Sequence, residues 1–143
     1  MILLDTNVLS EVLRPAPDPV VARWLNLNFA DAAVSAVSVL ELLGGTAILP
    51  AGQRRDILEK AIDRIVRRFA GRVHAFDEAA ARAAARLIEQ ARVRGKGAHQ
   101  LPEKLADLQI AGTAVAYDLS LATRNTGDFE AFGITLIDPW RMS

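Results

Sequence analysis

Apolar and polar residues follow two periods along this chain, and together they predict its elements. Ile2-Leu3-Leu4 is a continuous apolar run that predicts a short buried strand. It ends at Asp5-Thr6-Asn7, three residues favoured at helix N-caps, so a short helix to about Leu13 should follow. Pro15, Pro17 and Pro19 break that helix, and Val20, Val21, Trp24 and Leu25 at helical spacing predict a second. Ala32 to Ser35 predicts a second strand. From Ser38 an apolar helix carries Glu41 and ends near Gly44-Gly45 or a turn beyond. Ile57, Leu58, Ala61, Ile62, Ile65 and Phe69 share one face of an amphipathic helix from Gly52 to about Phe69. Gly71 closes it and Val73 to Phe76 predicts a brief strand. Asp77 then caps a long Ala-rich helix to about Val93. Gly95, Gly97 and Pro102 mark a loop. A helix containing Asp107 through Tyr117, a strand at 119–123, a turn at 125–127 and a last strand from Ile134 to Ile137 complete the chain. Strands alternating with helices predict an α/β fold with five strands in a mainly parallel sheet flanked by helices.

With 143 residues and no linker, repeat or low-complexity stretch, residues 1–143 are expected to form one domain. A hydrophobic fraction of 51% excludes disorder. The absence of cysteine excludes disulfides, zinc–thiolate sites and thiol nucleophiles, and is compatible with a reducing cytoplasm. Met1 to Asp5 has no basic leader, and no later stretch is apolar for the length of a membrane span, so a soluble, non-secreted, cytoplasmic protein with no membrane partner is expected. Seventeen basic and seventeen acidic side chains cancel, which leaves no overall attraction to nucleic acid. Arginines are nevertheless dense from Arg54 to Arg94, either as solvated helix faces or as a phosphate-facing rim.

Candidate chemistry rests on four acids set among apolar residues: Asp5, Glu41, Asp107 and Asp128. A buried carboxylate is costly unless it is paired, neutralised or bound to a metal. Four acids converging on one or two divalent cations would resolve that cost together. In parallel α/β sheets ligands gather beyond the carboxyl ends of the strands, where Asp5 and Asp128 are expected and Glu41 is within two helical turns. Mg²⁺ and Mn²⁺ favour such oxygen donors and assist phosphodiester hydrolysis. Each acid has a plainer role open to it. Asp5 can cap a helix, Glu41 can pair with an arginine, Asp107 can face a helix dipole, and Asp128 can serve a turn. His74 and His99 lack metal-ligand spacing, Trp24 and Trp140 are expected in packing or an interface, and there is no phosphate-cradling glycine loop or serine elbow.

The order of the segments is more specific than any one of them. Leu3-Leu4-Asp5-Thr6-Asn7-Val8-Leu9-Ser10-Glu11, Ser35-Ala36-Val37-Ser38-Val39-Leu40-Glu41-Leu42, Asp107-Leu108-Gln109-Ile110-Ala111 and Leu121-Ala122-Thr123-Arg124-Asn125-Thr126-Gly127-Asp128-Phe129 resemble, in order, the four motifs of PIN-domain ribonucleases. Ile137-Asp138-Pro139-Trp140 matches a common ending, and the VapC/FitB-like toxins of type II toxin–antitoxin pairs are the nearest group. The resemblance implies a PIN-like fold and Mg²⁺- or Mn²⁺-dependent cleavage of RNA by Asp5, Glu41, Asp107 and Asp128. It also implies a homodimer and an antitoxin partner through which operator DNA would be met indirectly. Thr6 or Asn7 would support the first ligand, and Thr123 and Asn125 would orient Asp128 or contact substrate. Arg124 would neutralise the scissile phosphate or pair with an acid. The stretch from Gly95 to Ala106 is longer than is common in the family, so Glu103 is a further candidate beside Asp107. Two other readings stay open. One is a phosphatase with Asp5 as covalent nucleophile, which would want an acid where Asn7 stands and a supporting lysine from Lys60, Lys96 or Lys104. The other is a catalytically silent, dimeric binding module.

Overall fold

The structure, a computed structural model, describes residues 1–93 and 105–142. The expected loop at Gly95–Pro102, Glu103, Lys96, Lys104 and His99 lie outside the described residues. Strands β1 (Ile2–Leu4), β2 (Ala32–Ser35), β3 (Val73–His74), β4 (Ser120–Ala122) and β5 (Leu136–Ile137) form one sheet in the order β3-β2-β1-β4-β5. All four pairings are parallel, and Leu4 lies opposite Val34 on one side and Ala122 on the other. That register sets Asp5, Ser35 and Thr123, the residues at or just past the ends of the three central strands, along one edge.

β1 is buried throughout because both faces of the sheet are covered, the reason its sequence is a continuous apolar run and not an alternation. Successive side chains still point to opposite faces. Leu4, Val34 and Ala122 join one core with Val8, Val21, Trp24, Leu42, Ile62 and Phe69. Leu3, Ala33 and Leu121 join another with Val37, Leu87, Ile110, Ala111 and Phe129. The first core is built with α1 (Thr6–Val12), α2 (Pro19–Asn28) and α4 (Gln53–Arg68), and the second with α5 (Glu78–Val93) and α6 (Leu105–Ala116). Helix α3 (Ala36–Ala47) supplies Leu42 to one and Val37 to the other. Among the described residues no helix is long and apolar enough to cross a membrane.

Local chemistry explains where the elements depart from expectation. Helix α3 opens at Ala36, not Ser38, because the extended Ser35 accepts from the Val37 N–H at 3.0 Å and caps it. It runs through Gly44-Gly45 to Ala47, the longer of the two expected ends. The region expected as a turn at 125–127 begins a one-turn helix α7 (Thr126–Phe129), in which the Asn125 carbonyl accepts from the Asp128 N–H at 3.0 Å. The third and fifth strands are two residues each, shorter than 73–76 and 134–137.

Helices α5 and α6 meet through small residues. A Cβ added at Gly112 would stand 2.6 Å from the Ala80 carbonyl oxygen and 2.8 Å from the Ala84 Cβ. Neither neighbour has a flexible end that could move aside. Although alanine is the better helix former, Gly112→Ala is expected to lower stability by about 1–3 kcal/mol through this overpacking. Urea denaturation measures it, and an unchanged or higher midpoint would mean the seam yields without strain.

Candidate active site

Asp5 is the first residue beyond the central strand, and its position is fixed by backbone and side chain together. Its N–H donates to the Ala122 carbonyl at 2.9 Å, extending the β1–β4 pairing by one bond. Its Oδ1 accepts from the Thr6 N–H at 2.8 Å as the cap of α1, and its Oδ2 accepts from the Thr123 hydroxyl at 2.8 Å. The side chain is buried, with only 5% of its surface exposed. Burial pushes its carboxyl above the ordinary value of 3.8, the negative charges of Glu41 and Asp128 push the same way, and the Thr123 and Thr6 hydrogen bonds pull back without cancelling the rise.

Thr123 is fully buried and serves several groups at once. It gives its one hydroxyl proton to Asp5 and accepts from the Asn125 N–H at 3.0 Å and the Asn7 side-chain amide at 3.3 Å. Thr123, expected to orient Asp128, therefore orients Asp5. Asn7 in turn accepts from the Arg124 N–H at 3.4 Å, so its amide ties the start of α1 to the segment after β4. Thr6 does two jobs. Its N–H holds Asp5, and its hydroxyl lies 2.6 Å from Glu41 Oε1 and 2.9 Å from the Ser38 hydroxyl. The short contact to Glu41 is a charge-assisted bond, which leaves the Thr6 oxygen to accept from Ser38.

Asp5, Glu41 and Asp107 line one cleft of about 440 Å³ with Thr6, Asn7, Arg124, Asn125 and Trp140. Asp128 is outside that lining, in the first turn of α7, yet near enough for its charge to act on Asp5. The premise of four buried carboxylates is corrected: only Asp5 is buried, Asp107 is half-buried, and Glu41 and Asp128 are exposed. On α3 it is Leu42 that turns inward, which leaves Glu41 at the rim.

A second buried acid, Glu11, also lines the cleft and was given no role in the sequence analysis. It accepts from Arg14 Nη1 at 3.2 Å on each oxygen and from the Asp18 N–H at 3.2 Å. The signal was present: Glu11 follows the core residue Val8 by three positions, on the buried face of α1. The arginines of the 54–94 stretch that show partners are mostly engaged elsewhere. Arg72 donates to the Phe29 and Ala32 carbonyls at 2.6 Å each, and Arg55 and Arg82 pair with Glu59 and Glu78 along their own helices. Among the described residues the guanidiniums lining the cleft are Arg14 and Arg124, both outside that stretch. His74 stacks at 4.9 Å on Tyr117, and Trp24 is a core residue, as expected.

The donor set suits a hard divalent cation. It offers carboxylate and hydroxyl oxygens and no sulfur. Asp5 has each oxygen already oriented by one donor, which leaves further lone pairs for a metal. Among the described residues the lining carries the carboxylates of Asp5, Glu11, Glu41 and Asp107 and the guanidiniums of Arg14 and Arg124. Among the described residues no group of three acids or histidines stands close enough to hold a metal unaided. The expected convergence of four acids on a cation is therefore not met by direct ligands alone, and a cation held here would take one or two carboxylates and complete its shell with water. A covalent phosphatase fits less well, because Asn7 is committed to Thr123 and Arg124 and no described lysine lines the cleft.

Comparison with known proteins agrees with this geometry. The PIN domain family model matches residues 2–134. The chain is 42% identical over 142 residues to the VapC ribonuclease Y4jK of Sinorhizobium fredii and 41% identical to the toxin FitB of Neisseria gonorrhoeae, with 98% or more of each protein covered. The solved structure of FitAB bound to the IR36 DNA fragment superposes with a TM-score of 0.89 at 38% identity, covering 100% of this chain and 98% of that one. The ordered motifs, the all-parallel five-stranded sheet and these full-length similarities place the chain in the PIN domain family, among the VapC and FitB toxins.

Proposed function

We propose that this protein is the ribonuclease toxin of a type II toxin–antitoxin pair, a single PIN domain that hydrolyses RNA phosphodiester bonds with Mg²⁺ or Mn²⁺. The observation that carries the reading is the immobilised carboxylate of Asp5, fixed by Thr6 and Thr123 in a cleft that Glu41 and Asp107 also line. Similarity to a protein named a VapC ribonuclease and to the toxin FitB supports the same activity.

Asp5, Asp107 and Asp128 are the carboxylates that would hold the cation, directly or through water. When bound, the cation supplies a water of lowered pKa and offsets charge developing on the phosphate. Glu41 has one oxygen tied to Thr6 and the other free of that bond, so it is placed to take the proton of the attacking water. Thr123 and Thr6 keep the acids in register, while Asn7, Arg124 and Asn125 face the substrate. The protein would act in the cytoplasm as a homodimer, covered by a cognate antitoxin that carries the contact with operator DNA. The solved complex of FitAB with DNA supports such an assembly for this chain.

Purified protein incubated with a pool of RNAs is expected to cut with Mn²⁺ or Mg²⁺ and not with EDTA. Asp5→Asn should abolish the cuts while leaving the fold intact, since asparagine caps helices as well as aspartate does. Glu41→Gln should lower kcat by about 10²–10⁴. Metal-independent cleavage, or wild-type cleavage by Asp5→Asn, would defeat the proposal. Metal-stimulated RNA binding without cleavage, by protein free of antitoxin, would favour the silent binding module.

Electrostatics gives a readout that does not depend on activity. The folded-state pKa of Asp5 is raised, so the folded protein holds that proton more tightly than the unfolded chain does. Its contribution to stability is therefore present at low pH and is lost as pH rises from the ordinary carboxylate value through the raised one. In EDTA, wild-type Tm should fall relative to that of Asp5→Asn across this window. At neutral pH, Mn²⁺ should raise the wild-type Tm and leave that of the variant nearly unchanged. Parallel pH curves would contradict the raised pKa of Asp5, and equal responses to Mn²⁺ would contradict its assignment as a metal ligand.

A further inference from the structure

Two guanidiniums enter the acidic cleft, and each is held by a residue that the proposed chemistry does not otherwise need. Arg14 is held by Glu11, whose carboxylate is only 5% exposed while the arginine is 64% exposed. Both Glu11 oxygens meet Arg14 Nη1, and one of them also accepts the Asp18 N–H, which fixes the acid in place. An ion pair with one exposed member adds little stability, and burying its acid is costly. Stability is therefore a poor reason for the arrangement, whereas placing a cation at the mouth of the cleft is a good one.

Arg124 is held by an aromatic ring. Its guanidinium stands 5.3 Å from the centre of Trp140, within the range of a cation–π contact. Trp140 is itself anchored. Its backbone N–H donates to Asp138 Oδ1 at 3.0 Å, Pro139 beside it is buried, and its side chain packs against the core that contains Val21 and Trp24. A planar, permanently charged guanidinium supported on a ring is suited to a phosphate. The two arginines come from different parts of the cleft wall: the Arg124 backbone N–H meets Asn7 in the first turn of α1, and Arg14 follows the end of that helix, with about 10 Å of helix rise between residues 7 and 14.

We propose that Arg14 and Arg124 clamp two backbone phosphates of an unpaired RNA strand, Arg124 at the phosphate beside the acids and Arg14 at one further along α1, with Glu11 and Trp140 as positioning residues. The proposed occupant is a single strand, the form of RNA whose backbone a groove carrying separate cationic side chains can follow phosphate by phosphate. The proposal rests on the ribonuclease reading for its ligand, and it makes Arg14, Glu11 and Trp140 part of substrate binding.

The test is binding of a fluorescent unstructured RNA to the Asp5→Asn protein in EDTA across a range of salt, alongside KM and kcat of the active enzyme. Each phosphate contact on a single strand contributes about 0.7 to the slope of log affinity against log salt. Arg14→Ala and Arg124→Ala should each lower that slope by about 0.7 and the double variant by about 1.4, with the kinetic effect falling on KM more than on kcat. Trp140→Leu should raise KM as Arg124→Ala does, and Trp140→Phe, which keeps a ring under the guanidinium, should restore it. Glu11→Gln should act through KM in the same way as Arg14→Ala, but less. A purely structural role would lower Tm and leave the salt slope alone. Unchanged slopes in both arginine variants, no binding by the parent, or Trp140→Leu matching wild type in KM would overturn the clamp. If the wild type does not cleave while the slopes fall as described, the ribonuclease reading fails and the clamp stands.

Discussion

A carboxylate held at the end of the central strand organises this molecule. Asp5 continues the β1–β4 pairing through its N–H, caps α1 through Oδ1 and receives the Thr123 proton through Oδ2. Strand register, helix start and site geometry are thus joined in one residue. The same burial that makes Asp5 rigid raises its pKa by stripping water from the charged form, and the nearby charges of Glu41 and Asp128 add a smaller push the same way. Neutral hydrogen bonds moderate that cost without removing it. A divalent cation would remove it directly, which is why the electrostatic tension and the proposed chemistry point to the same place.

Around that residue the polar network is complete. Among the described residues no buried side-chain nitrogen or oxygen lacks a hydrogen-bond partner. Thr123 links Asp5, Asn7 and Asn125, and Thr6 links Asp5 to Glu41 and Ser38. Such networks fix geometry well when every member is satisfied. The acids are therefore presented by hydroxyls and amides on rigid elements, while the cations at the cleft are held by Glu11 and Trp140 from its margins.

Much of this was legible in the chain because it depends on local pattern. The apolar run before Asp5, the helical spacing from Leu58 to Phe69 and the Ala-rich helix after Asp77 are each found where their periods place them, while Ile57, expected on the same face as Leu58, is exposed. The departures come from contacts that local pattern does not encode. Ser35 captures the Val37 N–H and starts α3 two residues early, and Thr123 turns to Asp5 rather than Asp128 because the parallel register sets their strand ends side by side. Exposure was misjudged for Glu41, where an apolar neighbourhood in sequence gave no information about which side of the helix met solvent. Glu11 was overlooked for the opposite reason. It sits on the buried face of α1, and its Arg14 and Asp18 partners lie beyond the helix end. The family resemblance carried what pattern could not, the joint meaning of four acids that are individually ordinary.

The central claim is that these acids form a cation site built on Asp5. Anomalous diffraction at the manganese edge, from crystals soaked in Mn²⁺ at a concentration that supports cleavage, tests it most directly. The account predicts a peak in the cleft within direct reach of Asp5, with Asp107 or Asp128 reached directly or through water, and no peak there in Asp5→Asn crystals. Manganese bound elsewhere while the cleft holds none, or a cleft peak that persists unchanged in Asp5→Asn, would contradict it.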